Sequence, residues 1–352
     1  MRNIRWIVAG LVSACGCGEA SNGLGTDGMG ASSTGAPPAS SDGGGTPTSE
    51  GVDSGDGAAT SADPATGADS SAGDDGPPPP MACDTASLFE PGTHTRIAVD
   101  VDGVSRTYDL FVPTSYDPMA LAPLVLNFHG LLGSPSQQAS FSQFNGIAEG
   151  HSMLVAYPAG IGNSFNAGVC CGQASSSGVD DVGFARALVA DVASKMCVDP
   201  RRVYATGMSN GGHMAHRLAC EAADMFAATA SVAGVLSLIT PCTPSRPVSM
   251  LQFHGTADTI VGYNSVPPVM PMMEAWAARN GCSGQPETTF DQGDIQCQTW
   301  PSCNGEVEVS LCTIDGGGHC WPGNESCVFG HSSTELHASE AIATMFDTQL
   351  LP

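Results

Sequence analysis

The chain has 352 residues but only 11 Lys and Arg against 35 Asp and Glu, a formal net charge of −24. So acidic a surface disfavours the phosphates of nucleic acid and equally an anionic lipid surface. Fourteen cysteines are unusual for a reducing compartment, and they point to export.

In chain order, Arg2 and Arg5 precede a short apolar run, Trp6 to Val12, and Ser13-Ala14 precede Cys15. Residues 1–18 read as a targeting segment. Its apolar run falls far short of the ~20 residues that span a bilayer. Val12-Ser13-Ala14-Cys15 resembles a bacterial lipoprotein box, which implies lipidation of Cys15; an ordinary cleaved signal is the alternative. On either reading the protein leaves the cytoplasm for the cell envelope or the medium, and it meets a membrane only through that anchor. Residues 19–82 are Gly, Ser, Thr, Ala, Asp and Pro with almost no large apolar side chain. Such a segment buries too little surface to offset its ordering entropy and is expected to be a flexible acidic tether. It closes on the stiff run Pro77 to Pro80.

Residues 83–352 are long enough for one α/β catalytic domain with a real core. Thr95 to Val101 alternates apolar residues, Asp102-Gly103 is a two-residue turn signal, and Ser105 to Val112 returns as a second strand, an opening hairpin. Short apolar runs follow at Leu124 to Phe128, Met153 to Tyr157, Val203 to Thr206, Ala228 to Val232, Val248 to Phe253 and Val307 to Leu311. These read as buried parallel strands. Helices are expected from Asp180 or Asp181, with Val182, Ala185, Leu188, Val189 and Val192 on one face, and over Ser209 to Ala223, Pro271 to Asn280 and Ser333 to Gln349. Strand and helix in alternation imply right-handed crossovers and a doubly wound, mostly parallel sheet. With Cys15 and Cys17 set aside, twelve cysteines remain, an even number that suits a disulfide framework. Connectivity is not deducible from sequence, though Cys220 with Cys242 and Cys320 with Cys327 would each close a short loop. No pair of Cys-x2-Cys motifs appears, so no metal site is expected.

Gly207-Met208-Ser209-Asn210-Gly211 matches Gly-x-Ser-x-Gly. In a chain with 44 Gly and comparably rich in Ser, chance supplies roughly 0.6 such matches. Context distinguishes this one: Val203 to Thr206 runs straight into it and a helix-compatible stretch follows, as a nucleophile elbow requires. A serine hydroxyl needs a base, and the base needs a carboxylate to fix its tautomer, in the chain order Ser, acid, His. Of nine histidines, His94, His129 and His151 precede the serine, and His213 and His216 fall on the helix behind it. His254 comes before any suitable acid. His319 follows a strand in the glycine-rich loop Asp315 to Pro322 and is the expected base. Asp258 leaves a strand at the sheet's carboxyl edge and is the expected acid. The oxyanion donors are then the amides of Asn210 and of Leu131, which follows the strand ending at Phe128.

Four ordered blocks, Asp180 to Phe184, Arg201 to Gly212, His254 to Asp258 and Gly316 to Gly323, together resemble the polyhydroxybutyrate depolymerase and feruloyl esterase family over about residues 95–345. The resemblance implies an α/β-hydrolase fold and a secreted, cofactor-free serine esterase with Ser209, Asp258 and His319 as its triad. It acts through an acyl-enzyme on a small-molecule or polymer ester, and a monomer is expected. Feruloyl or acetyl esters of plant polysaccharide are the first reading and a poly(3-hydroxybutyrate) or oligomer substrate the second. A catalytically inactive surface lipoprotein is the different-class alternative. Phe165 to Gly172 resembles the family's Cys-Cys loop, with Phe165 where the family often carries a Trp. Phe165 and Trp321 are expected to touch substrate, although Trp321 could equally be a packing residue.

Overall fold

Asp102 and Gly103 both adopt positive φ, 52° and 81°, and turn the chain between β1 (Gly92–Val101) and β2 (Val104–Val112). That backbone matches the twist of the two strands it joins. The computed structural model describes Cys83 and residues 87–237 and 241–352. The targeting segment, Cys15 and the tether lie outside the described residues.

The hairpin opens a sheet continued by β3 (Ala122–Phe128), β4 (Leu154–Pro158), β5 (Val198–Met208), β6 (Ala228–Val232), β7 (Ser249–Gly255), β8 (Glu287–Gln292), β9 (Ile295–Trp300) and β10 (Val309–Ile314). Their spatial order is β1-β2-β4-β3-β5-β6-β7-β10-β9-β8. The central strands from β4 to β10 pair in parallel, and antiparallel strands flank them on both sides. This is the expected doubly wound α/β-hydrolase arrangement. The β8–β9 hairpin was not foreseen, because β8 is an edge strand with no fully buried residue and carries Glu287, Thr288, Asp291 and Gln292.

Seven helices accompany the sheet among the described residues: α1 (Pro135–Ser142), α2 (Phe144–His151), α3 (Gly172–Ser176), α4 (Asp181–Lys195), α5 (Asn210–Glu221), α6 (Val269–Arg279) and α7 (Ala338–Thr348). Strand periodicity divides the core between them. Leu124, Leu126 and Phe128 face a cluster with Leu188 of α4 and Leu218 of α5, whereas Val125 and Tyr204 face Ile342 and Phe346 of α7. The face expected for α4 is buried, and Asp180 caps its start, accepting from Gly183 N at 2.8 Å. Asp181 has a different task. It is buried, pairs with Arg106 at 2.7 Å and accepts from Asn166 N at 2.6 Å, bracing the loop ahead of α4. The last helix begins at Ala338 rather than Ser333, where His337 caps it.

Among the described residues six disulfides join Cys83–Cys197, Cys170–Cys171, Cys220–Cys242, Cys282–Cys303, Cys297–Cys312 and Cys320–Cys327. Both expected short-loop pairs are among them. Cys170–Cys171 joins neighbours in sequence, a pairing that spacing rules do not suggest.

Candidate active site

Ser209 stands between β5 and α5 with φ 54° and ψ −119°, a left-handed conformation costly for any residue with a Cβ. The two motif glycines make the turn possible. A Cβ on Gly207 would lie 2.6 Å from the Phe128 carbonyl oxygen, and one on Gly211 would fall onto that same oxygen. Asn210 is the first residue of α5, where an amide has no partner within the helix.

Asp258 and His319 come from the loops after β7 and β10, neighbouring parallel strands. The backbone joins those loops: Thr256 N donates to Ile314 O at 2.8 Å and Ala257 N to Gly317 O at 2.9 Å. Gly255 allows that approach, since a Cβ there would collide with the Gly317 carbonyl. His319 Nδ1 then meets Asp258 Oδ2 at 2.7 Å, while Asp258 Oδ1 accepts from Ile260 N at 2.8 Å and Val261 N at 2.9 Å. Burial alone would raise the Asp258 pKa. Its hydrogen bond and charge pairing with His319, and the two amides, outweigh that and hold it below the usual carboxylate value. A buried carboxylate in this position keeps the Nδ1 proton on His319 and turns Nε2 into the acceptor.

Ser209 and His319 line one cavity of about 300 Å³, together with Leu131, Phe141, Ile260 and Phe329. The loop that carries Leu131 lies against the serine, since a Cβ on Gly130 would sit 3.4 Å from Ser209 Cβ. Leu132 N donates to Asn163 O and Gly133 N to Gly130 O; among the described residues the Leu131 amide has no backbone acceptor. His129 ties this loop down. Its Nε2 accepts from Gly160 N at 3.1 Å, which leaves Nδ1 to donate to Gly130 O at 2.8 Å, and burial lowers its pKa.

Two expected contacts are corrected. Trp321 is fully buried and its Nε1 donates to Ser339 Oγ at 3.1 Å. Phe165 is also fully buried, edge-on to Phe128 at 5.1 Å and 4.6 Å from the His129 ring. Neither forms the cavity wall: the indole N–H finds its partner inside the core, and the phenyl ring supports the Leu131 loop from behind. The wall instead includes Leu132, Gln137, Gln138, Phe141, Met208, Ile260 and Phe329, none of them foreseen. Leu132 and Phe329 are 61% and 41% exposed.

Two further buried histidines, His216 and His254, form a network behind the acid. Trp276 Nε1 donates to His216 Nδ1 (3.1 Å), so His216 Nε2 donates to Gln252 Oε1 (3.0 Å). Gln252 Nε2 donates in turn to His254 Nδ1 (3.1 Å), and His254 Nε2 donates to Val261 O (2.7 Å). His254 Nε2 also lies 3.6 Å from Asp258 Oδ2. Each donor commits the next ring to one neutral tautomer.

A family model described as Esterase PHB depolymerase matches residues 106–242. Feruloyl esterase B of Piromyces equi is 37% identical over 227 residues, 59% of this chain, and the chain spans only 41% of that protein's length. Feruloyl esterase C of Emericella nidulans is 30% identical over 223 residues, which cover 60% of this chain and 76% of the relative. Among solved structures, an acetyl xylan esterase from Aspergillus awamori aligns with 73% of this chain and 99% of its own at a TM-score of 0.54 and 16% identity, a likeness of fold. Sequence and fold agree, and the chain belongs to the esterase PHB depolymerase family.

Proposed function

We propose that the protein is an exported serine carboxylic ester hydrolase that acts on feruloyl-type esters of plant polysaccharide. The observation that carries this reading is the cavity itself, where Ser209 and His319 meet a largely apolar wall that includes Leu131, Phe141, Ile260 and Phe329. Such a wall suits a planar arylalkenoyl group better than an acetyl group, which would leave most of it wet. The feruloyl esterases among its relatives support the same substrate class.

In the proposed reaction Ser209 Oγ attacks the ester carbonyl carbon as His319 Nε2 takes the hydroxyl proton, and the electron pair of the C=O bond moves onto oxygen. The amides of Leu131 and Asn210 receive that oxyanion. Asp258 holds the imidazolium through Nδ1. Collapse of the intermediate expels the alkoxide, which leaves as the alcohol with the proton from His319, and the acyl group stays on Ser209. Water then repeats the sequence with His319 as base, releasing the carboxylic acid and restoring the serine. Nothing in these steps calls for a cofactor. The six disulfides support an extracytoplasmic location, and lipidation at Cys15 would tether the domain to the envelope.

Initial rates on methyl ferulate and on 3-hydroxybutyrate oligomers test the substrate. Faster turnover of the ferulate supports this reading, and turnover of the oligomers alone would replace it with the polyester one.

A further inference from the structure

Gln138, on α1, lines the same cavity as Ser209 and is only 3% exposed. A one-way chain of hydrogen bonds sets the orientation of its amide. The backbone carbonyl of Gln138 can only accept, so the Ser142 hydroxyl donates to it at 2.8 Å. Ser142 Oγ then accepts from Asn127 Nδ2 at 3.2 Å, which turns Asn127 Oδ1 toward Gln138 to accept from Nε2 at 2.8 Å. Reversing the Asn127 amide would set donor against donor, and reversing that of Gln138 would set acceptor against acceptor.

The chain engages one N–H of Gln138 Nε2 and leaves Oε1 without a partner among the described residues. The side-chain oxygens there that are both sealed from solvent and unpartnered are Thr206 Oγ1 and Ser231 Oγ, so Gln138 Oε1 retains an opening. An acceptor fixed in this way on a mostly apolar wall is built to receive one hydrogen bond from what fills the cavity.

We infer that Gln138 is a specificity-determining residue whose Oε1 accepts a hydrogen bond from a hydroxyl at the far end of the acyl group, the phenolic 4-hydroxyl of an arylalkenoyl ester. The inference rests on the feruloyl reading above. A donor at that end pairs the acceptor, whereas an acyl group lacking it strips the acceptor of water and returns nothing. Asn127 and Ser142 are positioning residues that act through Gln138.

The experiment compares kcat/KM for methyl ferulate with that for methyl 3-methoxycinnamate, which lacks only the 4-hydroxyl. Full-length wild type is expected to favour the ferulate about tenfold or more, the discrimination of a site that must hydrogen-bond its substrate. Gln138→Met keeps the side chain's length without an acceptor and should bring the ratio close to one. A wild-type ratio near one overturns the inference without any variant. So does a Gln138→Met ratio equal to that of wild type, and in both cases the feruloyl reading stands if ferulate is cleaved. Failure to cleave either cinnamate while hydroxybutyrate oligomers turn over removes the feruloyl reading, and the inference with it.

Discussion

Asn210 and Phe165 exchange two hydrogen bonds: the Phe165 amide donates to Asn210 Oδ1 at 2.7 Å, and Asn210 Nδ2 donates to the Phe165 carbonyl at 2.9 Å. The residue that follows the proposed nucleophile is thereby clamped to the loop bearing Cys170 and Cys171, and through the Phe165 ring to His129. Asn210→Ala would leave both Phe165 groups unpaired at a cost of about 1–3 kcal/mol. The variant should also lower kcat more than it changes KM, because a displaced Asn210 amide matters most when oxyanion charge develops. Urea unfolding together with steady-state kinetics measures both effects; a change in KM alone would detach this clamp from the oxyanion site.

Asp258→Asn is expected to reduce kcat by roughly 10³–10⁴-fold, because an amide N–H facing His319 Nδ1 forces the wrong tautomer. Since the Asp258 pKa is depressed in the fold, its ionisation contributes stability above about pH 4 that is lost as pH falls through the lowered value. The acid limb of a kcat profile should therefore not titrate with Asp258. Less than a tenfold loss in the variant would place the acid elsewhere.

His213 and His216 make the fold acid-sensitive in the same sense, over a higher pH range. Burial lowers their pKa values to about 4 and about 3 from an ordinary 6.5. Below pH 6.5 the unfolded chain takes up protons that the folded chain refuses, so stability falls with pH until the folded values are reached. For His213 the full penalty is roughly 3 kcal/mol. Guanidinium midpoints taken between pH 7 and pH 4.5 should decline, and His216→Gln should flatten the decline. A midpoint independent of pH over that range would contradict the neutral buried state of both rings.

The placement of Ser209, Asp258 and His319 just beyond strand ends was readable because each follows an apolar strand run, and glycines mark the places where loops must approach closely. Cys220 with Cys242 and Cys320 with Cys327 were readable from loop length alone. The cavity wall was not. Phe329 reaches it through the loop stapled by Cys320–Cys327 and by the backbone bond from His319 N to Phe329 O, a tertiary placement without local signature. Sequence left Trp321 open between packing and substrate contact because its hydrogen-bond partner, Ser339, is 18 residues away on α7, so its burial could not be inferred from a Pro-flanked loop. Gln138 was hidden for a similar reason: a glutamine on a short polar helix reads as surface until Asn127 is brought beneath it.

Removing Cys220–Cys242, which spans 22 residues, should cost about 3 kcal/mol by freeing the unfolded chain. The paired Ala variant in guanidinium unfolding checks this. An unchanged midpoint would mean that α5 and the segment carrying Cys242 are held by packing alone.

Labelling by a fluorophosphonate, with the modified peptide identified by mass spectrometry, bears most directly on the proposed nucleophile. Wild type is expected to carry one phosphonyl adduct on Ser209, and Ser209→Ala none. Equal labelling of both proteins, or an adduct on another serine, would contradict the assignment of Ser209.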